Sequence, residues 1–412
     1  MDTVTGRNTR DRLFHEDQAA GIFRYSARVY TDSELFEREQ RRIFDRSWLY
    51  AAHESEIPKV GDFLTRRVGG RGVLIARGSD GVIRAFHNSC RHRGTTVCRQ
   101  PSGNAKNFQC FYHYWTYDNC GKLIGVPSKD SYGPGFKTEA MGLHEIRFEN
   151  YRGWLFLCFS QDTEPLERYL AGARAYLDMI LDQDEGRGTA ILPGAHEYSM
   201  RANWKMLIEN STDIYHLPSV HSRFMHDYLP NVLGIAPPDP RAARDPGSGA
   251  RDLGNGHAVI EYRRFNGVAD EARRPEFEAR YGTERARRML DFTRTLILFP
   301  NTIFIEQRRV IRTCYPLAPD HAEINAWPLM PVVDDPEVRA QRLDIYLSFL
   351  GPAGSATPDD IEVMELCQKN CATLPDDAFI DCSRGMMREN PFPNEEEQMR
   401  AFWRRWRDLV AQ

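Results

Sequence analysis

The chain has 412 residues, 41% apolar and 27% charged, which excludes a disordered polymer and leaves room for two domains or one large one. Acidic and basic side chains nearly balance, 58 against 54, and the formal charge of −4 draws the chain neither to nucleic acid nor to an anionic membrane. Residues 1–18 lack the apolar run of a signal peptide, and the longest nearly uncharged apolar stretch, 153–160 (GWLFLCFS), is too short to cross a bilayer. The expectation is a cytoplasmic protein with no membrane and no nucleic-acid partner. Nine cysteines, an odd number, argue against a disulfide framework, yet Cys90, Cys98, Cys110 and Cys120 crowd into one window.

In chain order, a helix is predicted over 32–48. Thr31 and Glu34 read as a capping box, and Leu35, Phe36, Ile43 and Phe44 share a face. Short β-branched and aromatic runs follow at 63–68, 73–77, 82–87, 108–117 and 154–159. Turn signals separate them at Gly69-Gly70, Asp80-Gly81, Cys120-Gly121 and Pro134-Gly135. This is the pattern of a small all-β domain, and it holds the clustered cysteines. Helical patterns return at 166–181 and 204–216, and the Gly/Pro-dense stretch 234–256 reads as an irregular loop, a candidate lid. A helix is expected over 273–295, strands at 296–299, 303–309, 312–316 and 323–329, then helices over 336–350 and from Pro358. Asn394 with Glu397 reads as the cap of a last helix, and Met399, Phe402, Trp403, Trp406, Leu409 and Val410 as its core face.

Two groups of residues carry chemistry. The β-domain offers Cys90-x-His92 and Cys110-x-x-His113, one thiol and one imidazole from each of two loops. Zinc fingers usually pair like with like, so the mixture suits a [2Fe–2S] centre with thiolates on one iron and histidines on the other, a zinc site being the alternative. Further on, NWKMLIENSTDIYHLPSVH (203–221) places Glu209, Asp213 and His216 on one face of a continuous helix. Pro218 then breaks that helix, so that His221 can fold back beside His216. Two histidines near carboxylates suit a mononuclear non-haem iron with open positions for O2; a charged helix face with solvated histidines is the plain alternative.

CRHRGTTVC and CFYHYWTYDNCGKLIGVP resemble the two Rieske loops of bacterial ring-hydroxylating oxygenases, with Phe111 and Tyr114 where the common Cys-Pro-Tyr-His-Gly-Trp loop has proline and glycine. The extra cysteine pair of respiratory Rieske proteins is missing, Thr95 standing at one of the two positions, so the oxygenase type fits better and Cys98 and Cys120 read as free thiols. Glu209, Asp213, His216 and His221, preceded by Asn-Trp-Lys, resemble the catalytic signature of the same α subunits, and the likeness runs from Gly61 to the last helix. The resemblance implies that Cys90, His92, Cys110 and His113 hold the cluster, and that His216 and His221 bind one Fe(II) per chain. Asp213 would bridge His216 to His113 of an adjacent subunit, and Glu209 would not be an iron ligand. The third ligand follows a Gly-Pro-Ala-Gly-like segment, here GPAGSATPDDIEV from Gly351. That alignment selects Asp360, with Asp359 the alternative; both acids also suit a helix first turn.

The implied fold is α+β. An N-terminal helical segment (1–48) packs on the catalytic domain, an all-β Rieske domain spans 49–162, and a catalytic domain (163–412) carries an antiparallel sheet flanked by helices in a helix-grip, START-like arrangement. The implied function is a terminal oxygenase that takes O2, and electrons from NAD(P)H through a reductase and ferredoxin, to hydroxylate an aromatic ring, most often by cis-dihydroxylation. It would work as a homotrimer, alone or with a small β subunit (α3 or α3β3). The overall pattern is closest to the branch acting on benzoate-type acids such as cumate, terephthalate or salicylate. A carboxylate substrate wants a buried cation, and Arg308, Arg309 and Arg312 are the candidates, strand alternation turning one of them inward. A Rieske monooxygenase acting by hydroxylation or demethylation on another substrate, a pure electron carrier, and a zinc-stabilised binding protein are the rival readings.

Overall fold

In the computed structural model the described residues are 13–411 except 185, 233, 235, 237–243, 265–270 and 333–334. The chain forms two compact units, Asp45–Leu166, and Glu167–Gln412 together with the segment before Asp45. The N-terminal segment holds a hairpin, β1 (Phe14–Asp17) and β2 (Ile22–Ser26), then helix α1 (Ser33–Glu39). Asp32, not Thr31, caps that helix, its carboxylate accepting the N–H groups of Glu34 (2.9 Å) and Leu35 (3.2 Å). A single π turn, Gln40–Phe44, ends it short of the expected Trp48.

In the smaller unit seven antiparallel strands lie in the order β3-β12-β11-β6-β5-β4-β7: β3 (Leu49–His53), β4 (Asp62–Val68), β5 (Arg71–Arg77), β6 (Ile83–His87), β7 (Ser102–Asn104), β11 (Glu145–Tyr151) and β12 (Trp154–Cys158). A second sheet holds β8 (Asn107–Gln109), β9 (Thr116–Asp118) and β10 (Leu123–Gly125). The expected strand over 108–117 is therefore two short strands around a loop, because the Cys110–His113 turn interrupts pairing. The β4–β5 turn is Gly69-Gly70 with φ of +55° and +75°, the left-handed pair a tight hairpin requires. Phe63, Leu74, Phe86, Phe108, Trp115 and Tyr117 fill the core, and Cys98 packs among them.

The larger unit is built on one long antiparallel sheet, β13-β20-β19-β18-β17-β16-β15, with β14 also on β20. Its strands are β13 (Thr189–Ile191), β14 (His196–Met200), β15 (Gly249–Asp252), β16 (Ala258–Arg263), β17 (Phe292–Leu298), β18 (Thr302–Ile305), β19 (Val310–Ala318) and β20 (His321–Pro331); β21 (Phe379–Asp381) extends the N-terminal hairpin. Around it lie α2 (Ala173–Leu181), α3 (Trp204–Thr212), α4 (Leu217–Val220), α5 (Arg274–Tyr281), α6 (Thr283–Asp291), α7 (Pro336–Leu350), α8 (Thr357–Cys371) and α9 (Glu397–Val410). The architecture is the expected α+β one, a β-domain followed by a catalytic domain with a helix-flanked antiparallel sheet. No helix among the described residues is long and apolar enough to cross a membrane.

Several element boundaries differ from expectation for local reasons. The helix over 273–295 becomes two helices broken at Gly282 (φ +81°) and then β17, where Thr293, Thr295 and Ile297 favour a strand buried on both faces. Within 234–256, β15 replaces part of the loop, and 235 and 237–243 lie outside the described residues. Helix α9 starts at Glu397 after Glu396 in a left-handed conformation, not from an Asn394 cap.

One buried group gives the larger unit a pH response. His257 is fully buried; its Nε2 lies 2.7 Å from the Tyr169 carbonyl, and the Phe299 N–H donates to its Nδ1 at 2.9 Å. Burial, opposed by the bond to that carbonyl, brings its pKa down to about 4 from 6.5. Between these values the unfolded chain binds a proton that the folded chain refuses, so stability falls as pH drops through this window, by up to about 3 kcal/mol for this group. Denaturant unfolding at pH 7 and pH 5 should show this loss in the wild type and a weaker one in His257→Gln.

Candidate metal centres

In the smaller unit two turns present the Cys/His set. Cys90 N–H donates to the Thr95 carbonyl and Cys110 N–H to the Trp115 carbonyl, each at 2.8 Å, closing a loop over each histidine. Tyr114 sits at φ +58°, the left-handed conformation that glycine adopts without strain in the common form of this loop. The thiols are buried and the histidines reach outward. The His92 and His113 ring centroids are 4.5 Å apart, and His92 stacks on Trp115 at 5.0 Å with an 8° interplanar angle. His92 Nδ1 is a buried polar atom with no partner. The Tyr117 hydroxyl accepts the Arg91 N–H (3.0 Å) and lies within hydrogen-bond reach of Cys90 Sγ, 3.3 Å away. The only set of three or more His, Cys, Asp or Glu donors drawn within 4.8 Å of one another among the described residues is in the other unit. Two thiols and two imidazoles from two loops suit two irons, sulfur on one and imidazole on the other, better than one zinc.

In the larger unit the compact set is His216, His221 and Asp360. Asp360 Oδ1 lies 3.1 Å from His221 Nε2 and 3.5 Å from His216 Nε2, and Asn210 Nδ2 donates to the same oxygen at 3.0 Å. Burial raises the Asp360 carboxyl, but hydrogen bonds to the two histidines outweigh it and hold the carboxyl far below the ordinary range. Asp359 Oδ2 is 3.6 Å from His221 Nδ1, and its side chain is 50% exposed against 11% for Asp360. Chain geometry here departs from a continuous helix. Helix α3 stops at Thr212, Asp213 is extended, and Pro218 lies in the first turn of α4 instead of breaking a longer helix. His216 is thereby placed just before α4 and His221 just after it. Asp213 Oδ1 accepts the Tyr215 N–H at 2.9 Å, and Oδ2 faces His216 Nδ1 at 3.5 Å, an electrostatic contact longer than a good hydrogen bond. Burial lowers the His216 pKa, but Asp213 and Asp360 together push it up to about 9. Glu209 faces away from this cluster and accepts Tyr25 Oη (2.5 Å), Tyr30 Oη (2.6 Å) and Trp403 Nε1 (2.7 Å).

Beside the cluster lies a cavity of about 290 Å³ with largely apolar walls that include Ile214, Leu217, Phe224, Ile305 and Phe349. Arg308 and Arg312 line it, while Arg309, left-handed at φ +52°, sends Nη2 to Gln183 Oε1 (2.9 Å) and takes no part. The strand expected over 303–309 ends at Ile305, and the 3-10 turn Glu306–Arg308 resets the alternation, so two arginines reach the cavity instead of one. Asn210, Tyr117 and Phe349 were not foreseen. Asn210 had a usable signal, as a polar residue next to Glu209 within the motif helix.

Residues 47–146 match the family described as Rieske [2Fe-2S] domain, and residues 167–412 the family described as ring hydroxylating alpha subunit (catalytic domain). The α subunit of toluate 1,2-dioxygenase from Pseudomonas putida is 36% identical over 403 residues, spanning 93% of this chain and 86% of that protein. The large subunit of 2-halobenzoate 1,2-dioxygenase from Burkholderia cepacia is 34% identical over 366 residues, 85% and 78% of the two chains. A solved naphthalene 1,2-dioxygenase with indole bound in its active site superposes with a TM-score of 0.87 at 26% identity, covering 98% of this chain and 95% of that one.

The donor geometry makes a direct prediction. Asp360→Ala should weaken metal retention at His216 and His221 by more than about 100-fold, since supporting partners alone are commonly worth ~10–100-fold. Asp359→Ala should leave retention nearly unchanged. Iron content after dialysis against chelators of graded strength reads both.

Proposed function

The chain belongs to the Rieske-type ring-hydroxylating oxygenase α subunits, and from that premise we propose that its substrate is an aromatic carboxylic acid, with Arg312 receiving the acid. The protein is an aromatic-ring-hydroxylating dioxygenase of the multicomponent kind, with one Rieske cluster and one mononuclear iron per chain. When bound, these groups supply single electrons and the open iron positions at which O2 is reduced.

The protein's own residues divide the remaining work. Cys90, His92, Cys110 and His113 would hold the cluster, and Tyr117 would direct its proton at the Cys90 sulfur. His216, His221 and Asp360 would hold the iron, Asn210 keeping the Asp360 carboxylate in place and Asp213 fixing the ring of His216 through Nδ1. The apolar walls exclude water and grip a ring. The observation that carries the acid reading is Arg312, only 2% exposed, lining this cavity with no described carboxylate in salt-bridge contact. The proteins named for toluate and 2-halobenzoate, both ring acids, stand among the most similar relatives. The working assembly is a cytoplasmic α3 or α3β3 oligomer served by a ferredoxin and a reductase, in which Asp213 links His216 to His113 of a second copy.

Calorimetric titration of the holoenzyme with substituted benzoates tests the substrate reading. A benzoate should bind, and Arg312→Gln should weaken it by about 10- to 100-fold, the worth of a charge-assisted hydrogen bond of about 1.5–3 kcal/mol. Failure of every ring acid to bind sinks the proposal. For the link between copies, Asp213→Ala should keep its full iron complement yet lose reductant-coupled turnover. Wild-type coupling in that variant would remove Asp213 from the electron route.

A further inference from the structure

A guanidinium held away from bulk water needs an anion, and the fully buried arginine of this sheet has two. Arg294, fully buried, bonds Glu261 (2.8 Å) and Glu306 (2.9 Å), and Arg264, Arg288 and Arg251 gather on the same two acids. The cavity breaks this pattern twice. Among the described residues Arg312 bonds two hydroxyls, Ser211 Oγ at 3.3 Å and Thr357 Oγ1 at 3.5 Å, and its Nε has no partner. Arg308 rests over the Phe349 ring at 4.7 Å and makes no ion pair with a described carboxylate. The cavity's own acids are engaged elsewhere, Asp360 by two histidines and Asn210, Asp213 by Tyr215 and His216. A divalent ion beside Asp360 would only add to the positive excess.

Resting on the aromatic-acid reading above, we infer that the preferred substrate carries two anionic groups on one ring, an aromatic diacid, with Arg312 receiving one group and Arg308 the other. One carboxylate neutralises only one of two guanidinium groups, and the second, half-buried over Phe349, stays without an anion unless the ligand brings one. The Phe349 face holds the Arg308 fork in place, so little freedom is lost when it binds. A volume of about 290 Å³ stands at the small end of ligand pockets (~300–1,000 Å³), which suits a single substituted ring over fused rings. Phe224 and Phe349, with centroids 4.5 Å apart, give that ring an aromatic wall.

The test is calorimetric titration of the holoenzyme with benzoate, the three benzenedicarboxylates and the sulfobenzoates at one fixed salt concentration. At least one diacid should bind about tenfold or more tighter than benzoate, as one added charge-assisted bond implies. Arg308→Gln should weaken the best diacid by about tenfold more than it weakens benzoate, and Arg308→Lys, which keeps the charge but not the fork, should restore part of that difference. Two results overturn the second anchor alone: benzoate binding as tightly as every diacid in the wild type, or Arg308→Gln weakening benzoate and diacid equally. If no ring acid binds at all, the aromatic-acid reading falls with it.

Discussion

The carboxylate of Glu39 has no contact with water, and the catalytic unit is organised around that fact. It accepts Lys205 Nζ at 2.6 Å, Trp204 Nε1 at 2.8 Å and Trp406 Nε1 at 2.7 Å, and the four side chains are all fully buried. An anion so placed is tolerable only while every donor stays in position, and removing one partner of such a pair typically costs about 3–5 kcal/mol. The donors come from α3 and α9, so Glu39 ties the N-terminal segment and the last helix to the short helix that precedes His216 and His221. One turn further along α3, Glu209 repeats the device with Tyr25, Tyr30 and Trp403. Asn210 and Asp213 follow, so the position of the Asp360 carboxylate and the angle of the His216 ring depend on a helix fixed from behind by one fully buried acid and one partly buried acid.

The same rule distinguishes structural from functional charge in the sheet. Where the chain needs a buried arginine for its own architecture, it provides the acid, as Glu261 and Glu306 do for Arg294. Arg312, which has no ion pair with a described acid, faces the cavity. A folded chain carries such an uncompensated cation at a cost in stability, and binding an anionic ligand recovers it.

The smaller unit shows a comparable division across a single site. Its thiols lie in the core, among Trp115, Tyr117 and Phe108, whereas the imidazoles emerge beside Phe111, Tyr112 and Tyr114, which are 50%, 52% and 60% exposed. The sulfur side is dry and held by a phenol; the histidine side is accessible.

Much of this was legible in the chain itself. Cys90-x-His92 and Cys110-x-x-His113 name their chemistry by residue type and spacing, because a metal selects its donors chemically and short loops fix their separation. The run of strands from Phe63 to Cys158 was equally open to reading, since alternation and glycine turns are local. What sequence could not decide was direction. Continuous helical periodicity over 204–216 gave no sign that the chain would leave the helix at Asp213, and only that departure brings His216 and His221 together around Asp360, some 140 residues on. Alternation suggested one inward arginine among 308, 309 and 312, yet a left-handed Arg309 after a 3-10 turn delivered two. The nine cysteines belong to the same lesson: the sequence by itself determined which donors were available, and the tertiary structure decided which converge. Residue type is a local property, whereas the burial and long-range hydrogen bonds that aim a side chain exist only once distant segments have packed.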